Sequence, residues 1–79
     1  GSDWEELLRR LEKVLQEYEE IVKELIDLIE RLIKVSEDKS KDASEYKKLV
    51  TELEKLISKL EEISKKLEEL VKEYEYKTE

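Results

Sequence analysis

Apolar residues in the first half of the chain recur at alternating intervals of three and four: Trp4, Leu7, Leu11, Val14, Tyr18, Ile21, Leu25, Leu28, Leu32 and Val35. This is the a/d repeat of a heptad, and it confines the segment to an amphipathic α-helix, since a half-buried strand would alternate every second residue. A further series, Leu8, Leu15, Val22 and Ile29, fills the e positions and widens the stripe beyond a two-helix seam. One partner helix cannot cover such a face. The pattern returns at Tyr46 and runs through Leu49, Leu53, Leu56, Leu60, Ile63, Leu67, Leu70 and Tyr74, with Val50, Ile57, Ser64 and Val71 at e.

Two helices of similar length are therefore expected, at 3–35 and 43–77, joined by a connection at 36–42. The stretch SEDKSKDASE holds three Ser and two Asp, carries Lys39 and Asp42 at core positions, and has no large apolar residue. Asp42, three residues before Glu45, resembles a capping box, and Ser40 is an alternative cap. No Pro occurs and the one Gly is Gly1, so no strong breaker marks the turn. The heptad register even continues across it, so a single helix on the order of 110 Å long is the competing reading.

Charge favours the hairpin. When the helices fold back antiparallel, one register sets Leu7 opposite Tyr74, Leu11 opposite Leu70, Val14 opposite Leu67 and so on to Val35 opposite Tyr46, filling every layer. In that register the g positions meet as Arg10 with Glu73, Glu17 with Lys66, Glu24 with Lys59 and Arg31 with Glu52, all opposite in sign. A slip of one heptad sets Arg10 against Lys66 and Glu24 against Glu52. Exposed pairs are worth only a few tenths to about 1 kcal/mol each, so they select register more than they stabilise.

The same pairing sets Leu8 beside Val71, Leu15 beside Ser64, Val22 beside Ile57 and Ile29 beside Val50. This leaves an apolar strip on the flank away from the ion pairs, widened by Ile26 and Ile33. It exposes on the order of 800 Å² per hairpin, more than monomers usually tolerate. The expected architecture is thus all-α, a two-helix hairpin assembling with another into a coiled-coil-like four-helix bundle. A homodimer is preferred because the internal ion pairing is complete. One half of an obligate heterodimer is the alternative, since a homodimer doubles the net charge of −7.

Two polar residues fall on the apolar side. Tyr18 leans toward its own N-terminus, into the layer where the pairing puts Ser64. A hydroxyl-to-hydroxyl bond there would penalise wrong partners; alternatively, Tyr18 reaches solvent and Ser64 bonds its own preceding turn.

Chemistry has little to work with. The chain has neither Cys nor His, which removes disulfides, thiolate metal sites, and the commonest metal ligand and general base. Carboxylates are abundant, so spacing alone generates pairs such as Glu61 with Glu68 or Glu17 with Glu24, but none of these projects from a core position, and a bundle di-metal site needs inward Glu together with His. No Gly-rich loop or nucleophile elbow is present. Neither enzyme activity nor a cofactor is expected, and a small ligand-binding or catalytic bundle is a distant alternative. An acidic balance disfavours nucleic-acid and membrane-surface partners, and no apolar run reaches about 20 residues, so the chain reads as soluble and suited to cytoplasmic expression.

The idealised repeats LLRRLEKVL and LEKLISKLEEISKKLEEL, the lone Trp, and Gly1-Ser2, which reads as the remnant of a cleaved tag, resemble those of computationally designed helical hairpins. Members of that class form homodimeric or heterodimeric four-helix bundles specified by buried hydrogen-bond networks. The resemblance implies a de novo assembly module whose network would include Tyr18 and Ser64.

Overall fold

The computed structural model describes residues 2–38 and 43–78 and contains two α-helices, α1 (Ser2–Glu37) and α2 (Ala43–Thr78). Each has 36 residues, a length of about 54 Å at 1.5 Å per residue. The molecule measures 60 × 14 × 13 Å. Its long dimension is that of one helix, so the two lie side by side as a hairpin.

Both helices carry charges that suit the backbone dipole: Asp3 and Glu5 in the first turn of α1 and Lys34 in its last, Glu45 and Lys77 at the corresponding ends of α2. Helix α1 continues through Ser36 and Glu37, two residues beyond the end that the apolar repeat marks. The Ser36 hydroxyl donates to the Ile33 carbonyl at 2.8 Å. The Asp38 amide donates to the carbonyls of Lys34 and Val35 at 3.2 and 3.3 Å. These bonds satisfy carbonyls that the helix end would leave bare. The candidate caps Ser40 and Asp42, with Lys39 and the rest of the connection, lie outside the described residues.

Packing separates the two core series. Among the described residues, those buried are Leu7, Ile21, Leu28, Leu49, Ile63 and Leu70, and every one occupies a d position. The a residues are less covered on the whole: Leu11, Leu25, Leu53 and Leu60 are half-buried, as are Val14, Val35 and Leu56 at d, while Tyr18, Tyr46 and Tyr74 are exposed. The expectation of evenly filled a/d layers therefore gives way to a seam centred on d. Two helices alone enclose only the line along which they touch, and the a residues lie to one side of it.

Candidate assembly interface

Around a helix of 3.6 residues per turn, the heptad positions follow the angular order g, d, a, e, b. With d at the seam, g falls on one flank of the hairpin and a, e and b on the other. The two flanks differ in kind.

On the g flank, charged side chains close over the seam. Arg10 lies 3.1 Å from Glu73, Lys66 3.8 Å from Glu17, and Arg31 3.9 Å from Glu52. Glu24 and Lys59 line the same groove as Arg31 and Glu52, yet form no ion pair among the described residues. All these side chains stay roughly half exposed, so the pairs contribute alignment and little energy.

On the other flank the surface is apolar. Leu8 is 52% exposed and Ile26 54%. Leu15, Ile29, Ile33, Ile57 and Val71 are exposed to a similar degree, while Val22 and Val50 are half-buried. At the end where α1 begins and α2 finishes, a cavity of about 190 Å³ opens between the helices, lined by Leu7, Leu8, Leu11, Leu70, Val71 and Tyr74. Trp4 closes this end, its ring 5.1 Å from that of Tyr74 in an edge-to-face arrangement at 79°.

The a residues Leu11, Tyr18, Tyr46 and Tyr74 belong to this open face, although the repeat assigns them to the internal core. The signal that would have found them is angular: e lies only about 40° from a, so an e strip left bare leaves a bare as well. Tyr18 and Ser64 both lie on this face and are exposed. Among the described residues they share no hydrogen bond.

Along its two long edges the open face is bounded by b positions. Helix α1 supplies Glu5, Glu12, Glu19, Ile26 and Ile33, and α2 supplies Lys47, Glu54, Glu61, Glu68 and Glu75. Glu12 and Glu19 border a shallow groove floored by Leu8, Leu11 and Leu15, and Glu68 and Glu75, with Lys72, border another floored by Leu67 and Val71.

No group of three or more His, Cys, Asp or Glu arranged to hold a metal ion occurs among the described residues. Nor is any helix, over those residues, long and apolar enough to cross a membrane. No protein-family model, curated protein sequence or solved structure matches the chain.

Proposed function

We propose that the chain is a non-catalytic assembly module, a helical hairpin that docks a second helical hairpin on its a/e face to complete a four-helix bundle. The observation that carries this reading is the exposure of Leu8, Leu15, Ile26, Ile29, Ile33, Ile57 and Val71 as one continuous strip. Side chains of this size that are about half exposed present roughly 80 to 100 Å² each, so these seven amount to about 560 to 700 Å², close to the roughly 800 Å² that one partner contributes to a standard stable interface. The face is also larger than the apolar patches monomers carry.

Two facing helices are the occupant that fits. The strip is about as long as the helices and floored by two parallel ridges, which match ridges of another hairpin crossing at about 20°. Covering the face also removes Tyr18 and Ser64 from water. Their hydroxyls then need partners, because an unsatisfied buried hydroxyl costs about 1 to 3 kcal/mol, and that requirement helps select the mate. A second copy and a different hairpin both satisfy this geometry. The idealised repeats of both helices support a designed origin.

Sedimentation equilibrium at about 1 M salt, where charges are screened beyond about 3 Å, tests the face independently of its edges. The chain is expected to self-associate there as a discrete dimer. A chain that stays monomeric at every concentration, both alone and mixed with a second hairpin of complementary edges, would remove the basis for the proposal.

A further inference from the structure

The ion pairs between α1 and α2 lie on the g flank, away from the open face. These pairs therefore have no bearing on what the open face binds. That depends on the b edges, and these are strongly acidic: seven of the ten b positions are Glu, against one Lys.

A second copy of this chain cannot avoid those carboxylates. In a two-fold dimer with the termini of both hairpins at the same end, α1 faces α2 of the mate. Glu5 then meets the region of Glu75, Glu12 that of Glu68, and Glu19 that of Glu61, each pair occurring twice by symmetry. In the reversed dimer each helix faces its own copy. Lys47 then gains Glu75, but Glu54 meets Glu68, and Glu19 and Glu61 each approach their own symmetry mates. Like charges meet along the edges in both arrangements, and like-charge juxtaposition at an interface selects against the partner that causes it.

Outward neighbours do not cancel this. Glu5 pairs with Arg9 at 2.9 Å and Glu19 with Lys23 at 3.2 Å, but all four side chains are about two-thirds or more exposed, where pairing is worth tenths of a kcal/mol. At the f position beyond Glu12 stands the uncharged Gln16, and beyond Glu54 stands Ser58; Lys65 and Lys72 stand beyond Glu61 and Glu68, but both are exposed, where a neighbouring charge is again worth tenths of a kcal/mol.

We infer that the partner is a helical hairpin of different sequence whose facing edges carry Lys or Arg. This deepens the assembly reading above and rests on it. The apolar strip provides the attraction, and the acidic edges direct it toward a basic mate and away from self-pairing. The role belongs to one half of a heterodimer.

The test uses two full-length variants as probes. In one, Glu5, Glu12, Glu19, Glu54, Glu61, Glu68 and Glu75 are all replaced by Lys; in the other they are all replaced by Gln. Helicity of each is checked by circular dichroism. At low salt, the chain and its Lys-edged variant are expected to form a 1:1 dimer at least about tenfold tighter than the chain with itself, and the preference should shrink as salt rises. The Gln-edged variant should self-associate at low salt as well as it does at high salt, and it provides the readout should the Lys-edged variant fail to fold. A chain that dimerises with itself equally well at low and high salt, and no more weakly than the Gln-edged variant, overturns the inference while leaving the assembly face intact. Absence of association at high salt, in every combination, overturns the assembly reading itself.

Discussion

Arg10 and Glu73 stand 3.1 Å apart, one near the start of α1 and the other near the end of α2. Two residues separated by most of the chain can meet only if the helices run antiparallel, and the Glu17–Lys66 and Arg31–Glu52 pairs repeat the relation at steps of one and three heptads. Charge reversal measures what this alignment is worth. Arg10→Glu is expected to cost less than about 1 kcal/mol in denaturant unfolding, and adding Glu73→Arg should recover most of the loss. A double variant no more stable than the sum of the two singles would mean that the contact does not contribute to register.

Distance between labels checks the hairpin itself. Gln16 and Lys65 occupy outward f positions near the same level of the two helices. Spin labels there should lie roughly 20 Å apart, whereas a continuous helix would hold them about 70 Å apart. A long distance within one chain would contradict the fold.

Core truncation should discriminate seam from face. Leu28 is 3% exposed at a d position, so Leu28→Ala is expected to cost about 2 to 4 kcal/mol at any protein concentration. Ile57→Ala removes a side chain that the hairpin alone leaves 42% exposed. Its cost should therefore be small in dilute solution and grow where the chain is assembled. Equal losses at both sites in dilute solution would show that the a/e face is already covered within one chain.

These contrasts mark what the sequence could and could not reveal. The heptad repeat makes both helices legible because burial of a stripe leaves a period of 3.6, and the order of signs at Arg10, Glu17, Glu24 and Arg31 makes the register legible because the partners on α2 carry the complementary signs. The end of α1 is less so. Ser36 reads as a turn residue, but its hydroxyl bonds the Ile33 carbonyl and helps carry the helix two residues further. The division of labour between a and d is hidden for a different reason. A repeat records which residues avoid water in the finished assembly, so Leu11 and Leu28 look equivalent, although Leu28 is buried by the hairpin and Leu11 only half so. The acidic b edges were visible throughout, but they acquire meaning only once the g pairs are seen to lie on the opposite flank.

Removal of divalent metal should leave the thermal melt unchanged, because the chain has no His or Cys and no group of three or more carboxylates among the described residues is arranged to hold a metal ion. A lower melting temperature on adding chelator would reveal a metal site that the residue chemistry does not anticipate.

The central claim is that the a/e face is where this hairpin docks another, and its most direct test is sedimentation equilibrium of the variant carrying Val22→Glu and Ile57→Glu, run beside the unaltered chain at about 1 M salt and again with the Lys-edged variant at low salt. Both substitutions fall near the middle of the strip, where docking would bury unpaired carboxylates at a cost of several kcal/mol. The double variant is expected to keep its helicity and remain monomeric under both conditions in which the unaltered chain associates. Association as strong as that of the unaltered chain would place the interface on another surface and contradict the account.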